Sequence, residues 1–183
     1  MPGQVKTRLA KGIGAVAAAG WYRRSLNGLV RRVGQDRRWQ SVLAVSPDNA
    51  VASRLLPGCV AQVPQGRGDL GARMARALAG QGPGPVVLVG SDVPGIDRAV
   101  IARAFAVLRG HDAVIGPAAD GGFWLIGLRN GSRMPRGVFQ DVRWSGPHAM
   151  TDTLAGLQGL RIGFAETLSD VDTVTDLSVR EIR

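Results

Sequence analysis

Four segments of this 183-residue sequence carry side chains whose types and spacing could do chemistry. Ser91-Asp92-Val93-Pro94 comes directly after Val86-Val87-Leu88-Val89, the most apolar run in the chain. Asp92 therefore falls just past the end of a buried strand. Its carboxylate is a hard oxygen ligand suited to Mg²⁺ or Mn²⁺ carrying phosphates; equally, it could brace the turn beside Pro94. Asp170-Val171-Asp172-Thr173 is a second carboxylate group, ahead of a predicted final helix, where Asp often serves only as a cap. A cation holding a nucleotide diphosphate needs one or two protein carboxylates, with phosphate and water filling its other positions. Asp92 paired with Asp172 would meet that need if the fold brings them together.

The third segment is Lys6-Thr7-Arg8-Leu9, with Lys11 and the glycines Gly3, Gly12 and Gly14. Glycines let backbone amides approach phosphate, and Lys and Arg neutralise it. The Walker spacing is absent, so this is no P-loop, and an exposed basic arm is the other reading. In the fourth, Asp120-Gly121-Gly122-Phe123-Trp124, the glycines could admit a sugar or base while Asp120 accepts hydroxyl hydrogen bonds. An Asp-Gly hairpin turn is the ordinary alternative. Trp144-Ser145, after Asp141, is a weaker candidate for an acceptor contact. His111 and His148 are isolated from one another, which disfavours metal or base roles. Cys59, inside an apolar run, reads as core.

The elements that must position these residues alternate between helix and strand. Ala18, Tyr22, Leu26, Leu29 and Val33 recur at helical spacing over Ala15 to about Val33, and Gly34 can stop that helix. Val42 to Val45 reads as a buried strand, Pro47-Asp48 as the start of a short helix ended by Pro57-Gly58, and Cys59 to Val63 as a strand. The glycine-bearing loop Gln65-Gly66-Arg67-Gly68 leads into a helix from about Asp69 to Ala79. After strand Val86 to Val89, Asp97 is positioned to cap a helix over Ala99 to Leu108. Asp112 to Ile115 and Phe123 to Leu128 are predicted strands, followed by a helix at about His148 to Leu157 and a strand at Leu160 to Ala165. A last helix is predicted near Thr173, where Thr173 and Asp176 have capping-box spacing. The pattern predicts a single α/β domain over residues 1–183, with a mainly parallel sheet between helices. Such sheets bind ligands beyond the carboxyl ends of their strands.

Composition bounds the function. Apolar residues make up 45% and charged residues 20%, enough to bury a core and against disorder or coiled coil. There is no apolar run of the roughly 18 residues a membrane span needs, no signal-like stretch after Met1, and a single cysteine, which excludes an internal disulfide or cysteine-clustered metal. A soluble, cytoplasmic protein is the expectation. Lys and Arg total 23 against 14 Asp and Glu, and a basic surface favours nucleic acid or a phosphorylated small molecule. The arginines are scattered, and only Trp21-Tyr22-Arg23-Arg24 mixes aromatics with charge, which disfavours nucleic acid.

Taken in order, the segments resemble a known family, the small bacterial glycosyltransferase-like proteins associated with radical-SAM and selenium-domain genes, some named arsenosugar biosynthesis glycosyltransferases. The resemblance covers nearly the whole chain. It runs through Pro2-Gly3, Val5-Lys6-Thr7-Arg8-Leu9, Gly68-Asp69-Leu70-Gly71 with Arg73-Met74, and Gly90-Ser91-Asp92-Val93-Pro94-Gly95. Gly116-Pro117-Ala118 before Asp120-Gly121-Gly122, Leu125-Ile126-Gly127-Leu128, Trp144-Ser145 and Asp170-Val171-Asp172-Thr173 complete it.

That family is similar to nucleotide-diphospho-sugar transferases of the GT-A fold. The resemblance implies that Asp92 occupies their metal-binding position and that Asp172 is a second metal ligand for Mg²⁺ or Mn²⁺. It also implies that Lys6 and Arg8 face the nucleotide phosphates and that Asp69 and Arg73 frame the nucleotide pocket. Asp92 and Asp120 are the catalytic candidates. Two departures stand out. The family's apolar first strand, which precedes the Pro-Gly, is missing here, so unpaired strand edges and exposed apolar faces are expected. The metal motif is Ser-Asp-Val-Pro rather than a full Asp-x-Asp. The expected activity is metal-dependent transfer of a sugar from a nucleotide sugar to a small-molecule acceptor. The alternatives are a nucleotidyltransferase that takes a nucleoside triphosphate and releases pyrophosphate, and a non-catalytic binding module.

Overall fold

The computed structural model describes residues 6–177; Pro2, Gly3 and Val5 of the N-terminal segment lie outside them. The chain opens with two helices, α1 (Thr7–Ile13) and α2 (Ala15–Val33), joined at Gly14. Strand β1 (Val42–Val45) pairs in parallel with β2 (Ala61–Pro64) as a two-stranded sheet. Helix α3 (Leu70–Ala79), β3 (Val86–Val89), α4 (Arg98–Val107), β4 (Ala113–Pro117) and β5 (Phe123–Leu128) follow. Helix α5 (Ala149–Gly156) and β6 (Ile162–Phe164) come last, before a single 3₁₀ turn at Val174–Asp176.

The larger sheet has the order β3-β5-β4-β6. Strand β5 is antiparallel to both β3 and β4, and β6 is parallel to β4. Three of these strands thus point the same way, and β5 is the exception to the expected parallel sheet. The reversal is local in origin: Asp120-Gly121-Gly122 folds β4 back on β5 as a hairpin, closed by Ala118 N–H on the Gly122 carbonyl at 3.0 Å. As a result β3 and β4 end, and β5 begins, on one edge of the sheet. The segment that follows β6 leaves from that edge as well.

Both faces of the larger sheet are covered. Leu29 of α2 and Val100, Ile101, Ala104 and Leu108 on and just after α4 pack with Val114, Trp124 and Leu125. On the other face Leu78 of α3 packs with Ala113, Ile115, Ile126, Leu128 and Leu157. Strand β3 takes part in both, Val87 and Val89 toward the first cluster and Val86 and Leu88 toward the second. Even so, all four of its residues stay half-buried, whereas β5 is buried from Trp124 to Leu128. The difference is the edge: among the described residues nothing pairs with β3 on the side away from β5, nor with β1 on the side away from β2.

Several elements depart from the sequence expectation. Residues 7–13, read as a glycine-bearing phosphate loop or basic arm, are the helix α1, and Gly12 is where α1 meets the Val174 side chain. The short helix after Pro47 shrinks to a turn at Asp48–Ala50. Strand β2 begins at Ala61, which leaves Cys59 exposed instead of in the core. The helix expected near Thr173 is that 3₁₀ turn within the described residues, although its Thr173–Asp176 capping box forms. No described helix is long and apolar enough to cross a membrane.

Candidate functional site

The three site loops meet where the shared strand direction leads them. Residues 90–94 leave β3, 118–122 join β4 to β5, and 165–172 follow β6. The Val171 N–H donates to the Asp92 carbonyl at 3.3 Å, stitching the first loop to the third. Val171 is buried with Leu9, Ala18 and Trp21 of α1 and α2, so an apolar residue between two aspartates anchors the acidic run. Tyr22 of α2 shares a 2.8 Å hydroxyl hydrogen bond with Ser91. Trp21 is therefore core and Tyr22 a brace for the Asp92 loop.

Lys6 stands at the centre. Its Nζ lies 2.6 Å from Asp92 Oδ2, 2.8 Å from Asp172 Oδ1 and 3.8 Å from Asp170 Oδ2. Arg8 Nη1 reaches the other Asp172 oxygen at 3.0 Å. The Lys6 side chain is only 7% exposed, against 28–34% for the three carboxylates. Burial works against its charge, but Asp92 and Asp172 outweigh it and the Lys6 pKa rises. Asp172 is held below the usual carboxylate range, first by the Lys6 hydrogen bond. Asp170 moves the other way. Burial pushes it up, opposed by Lys6 and reinforced by Asp172, Asp92 and Asp120.

A cleft of about 110 Å³ opens beside this cluster, lined by Asp92, Asp120 and Asp170 with Gly90, Gly122 and Trp124. It is below the roughly 300–1,000 Å³ of pockets that enclose a whole ligand, so it can seat one end of an extended molecule. Two glycines hold it open: a Cβ on Gly90 would come within 3.1 Å of Asp92 Oδ1, and one on Gly122 within 3.1 Å of Asp120 Oδ1. Gly121, at φ +88°, leaves no room for a Cβ against the Pro147 carbonyl, 2.5 Å away. A groove of about 210 Å³ lies between Trp39 and α4, but it is lined by Arg38, Arg109 and the stacked Trp39–Phe105 pair, without a carboxylate. Size does not pick the site here; the convergence of charge does.

Lys6, Arg8, Asp92, Asp120 and Asp172 are thus brought together. Asp170, quoted in the acidic run but not singled out as a ligand, joins them. Asp69 and Arg73 have other partners: Asp69 caps α3 by accepting the Ala72 N–H at 2.8 Å, and Arg73 donates to the Gly68 carbonyl at 2.9 Å. Trp144 packs against Phe123 and Phe139. His111 Nδ1 lies 3.0 Å from the Val107 carbonyl. Among the described residues no three Asp, Glu, His or Cys are arranged to hold a metal unaided. A cation bound by Asp92 and Asp172 would draw its remaining ligands from phosphate and water, as Mg²⁺ commonly does.

The fold, with its site loops, carboxylates and buried lysine gathered on one edge of the sheet, is nucleotide-diphospho-sugar transferase-like. It superposes with a TM-score of 0.83 on the crystal structure of a "putative nucleotide-diphospho-sugar transferase" from Desulfovibrio desulfuricans G20, at 32% identity over 96% of this chain and 79% of that one. The chain belongs to the family described as "Uncharacterized protein conserved in bacteria (DUF2064)", which matches residues 29–146. A Mycobacterium tuberculosis rv0371c homolog from Mycobacterium sp. strain JC1 shares the fold, at TM-score 0.53 and 20% identity, over 85% of this chain and 78% of that one. No curated protein matches.

Proposed function

We propose that this chain is a cytoplasmic, metal-dependent glycosyltransferase that moves a sugar from a nucleotide-diphosphate sugar to a small-molecule hydroxyl acceptor. The observation that carries the reading is the meeting of Asp92 and Asp172, from segments 80 residues apart in number, on one buried cation beside the Asp120 cleft. Asp92 and Asp172 would hold Mg²⁺ or Mn²⁺, which when bound offsets the charge developing on the departing diphosphate. Lys6 and Arg8 supply further positive charge toward the phosphates. Asp69, which caps α3, and Arg73, which fixes the Gly68 carbonyl, would frame the nucleotide pocket from outside the carboxylate cluster. In the transfer, the acceptor oxygen bonds to the anomeric carbon and the bond from that carbon to the β-phosphate oxygen breaks. The nucleoside diphosphate leaves with the bonding pair, and Asp120 receives the acceptor's proton.

Incubation with UDP-, GDP- and CDP-sugars and Mn²⁺, with and without acceptor alcohols, tests the reading. Release of the matching nucleoside diphosphate is expected, with loss in Asp92→Asn. Pyrophosphate release from a nucleoside triphosphate would assign nucleotidyl transfer instead. Salt-sensitive binding to DNA or RNA without turnover would make this a binding module.

A further inference from the structure

We propose that Lys6 is a tethered counter-ion that holds the divalent cation's place between Asp92 and Asp172 and gives it up when metal and nucleotide diphosphate arrive together. The inference rests on the metal-nucleotide reading of the site and adds its regulation.

Three carboxylates face one ammonium, which has three donors to offer and contacts of 2.6, 2.8 and 3.8 Å. Lys6 sits on Asp92 Oδ2 and Asp172 Oδ1, the oxygens that face each other, and a divalent ion bridging that pair cannot share contact distance between them with the ammonium. Lys6 is also a non-glycine residue in the left-handed region, at φ 50° and ψ 51°, just ahead of α1. Side chains rarely adopt that backbone, and it persists where the surroundings impose it. Here it accompanies an ammonium held among three carboxylates. Lysine suits an exchangeable role because its charge rides on a flexible four-carbon stem.

The consequence is coupling. Metal alone must move Lys6 off its two close contacts and leave it Asp170, now at 3.8 Å, so metal alone binds weakly. A diphosphate gives the released ammonium an anion to face. Metal and nucleotide should therefore tighten each other's binding, and by the same factor in both directions.

Lys6 and Lys11 are the chain's two lysines, and Lys11 is exposed. Labelling with ¹³C-lysine thus yields two ε-methylene signals in NMR, one an internal reference. Addition of Mg²⁺ with UDP, GDP or CDP should move the Lys6 signal and leave Lys11 in place. In a second arm, Mn²⁺ binding without nucleotide is measured by electron paramagnetic resonance for the unaltered chain and Lys6→Met. The variant should bind about tenfold tighter or more, within the usual range of coupling between sites. A Lys6 signal unmoved while metal and nucleotide bind, or equal Mn²⁺ affinity in the two proteins, overturns the exchange and leaves the transferase reading standing. Tighter Mn²⁺ binding by Lys6→Met with no nucleotide bound by either protein would show that Lys6 competes with metal alone, and it overturns both the coupled exchange and the nucleotide reading. The NMR arm uses the unaltered chain, so it decides the matter even if Lys6→Met fails to fold.

Discussion

Two kinds of charged neighbourhood coexist in this molecule. Away from the site, carboxylates are matched by guanidinium groups. Asp152 pairs with Arg143, Asp36 with Arg38, and Asp112 lies between Arg129 and Arg161. At the site the ratio reverses, and Asp92, Asp170 and Asp172 share one buried lysine, with Arg8 on the margin. In a chain with 23 basic and 14 acidic side chains, this local excess of carboxylate is costly. A buried hydrophobic contact would hold the loops at less expense in desolvation. The excess makes sense if the cluster is completed by a cation with its bound phosphates.

The comparison yields graded expectations. The largest effect belongs to Asp172→Asn, which weakens the contacts of both Lys6 and Arg8. Losing hydrogen bonds to charged groups of this kind costs about 1.5–3 kcal/mol, or several degrees of Tm at this chain length, read by thermal unfolding. Asp170→Asn should leave Tm unchanged or raise it slightly, because it removes the most distant of three crowded carboxylates. A clear fall would mean that Asp170 is a structural partner of Lys6. Asp152→Asn should lower Tm by less than Asp172→Asn does, since its partner Arg143 is 62% exposed whereas the Lys6 that Asp172 holds is 7% exposed; an equal fall would erase the distinction between the two neighbourhoods.

The smallest effect is one of pH. The Arg143 hydrogen bonds hold Asp152 at about 2, and those of Arg38 hold Asp36 at about 2. A depressed carboxylate contributes stability above its unfolded pKa near 3.9, and that contribution is lost as pH falls toward the folded value. NMR titration of the Asp carboxyl carbons should show Asp152 and Asp36 still ionised at pH 3.

Much of this was legible in the sequence because it is written locally. Helix α2 spans the very residues its apolar spacing marks, Ala15–Val33, and Asp97 caps α4 by accepting the Ala99 and Val100 N–H groups at 2.8 Å. Asp92 could be placed because a carboxylate just after an apolar strand must fall at the sheet's edge. What the sequence hid depends on partners distant in the chain. Gly12 and Gly14 suggested a loop, but Gly12 is small because Val174 crosses there. Lys6, which makes Asp170 a site residue, lies 164 positions before it in the chain. Strand direction is not written in a strand's own residues, although the Asp-Gly turn ahead of β5 did carry the signal for its reversal. The half-burial of β3, the most apolar strand, follows from an edge that no described residue pairs, which only the assembled sheet displays.

The most direct test of the central claim is thermal unfolding of the unaltered chain and Asp92→Asn with UDP-, GDP- and CDP-sugars, each with and without Mn²⁺. A ligand at about a hundred times its dissociation constant adds roughly 2.7 kcal/mol, a shift of roughly 5–10 °C at about 2–4 °C per kcal/mol. The account predicts that shift for one nucleotide class, only with metal, and only in the unaltered chain. A shift of the same size without metal, or in Asp92→Asn, would contradict it.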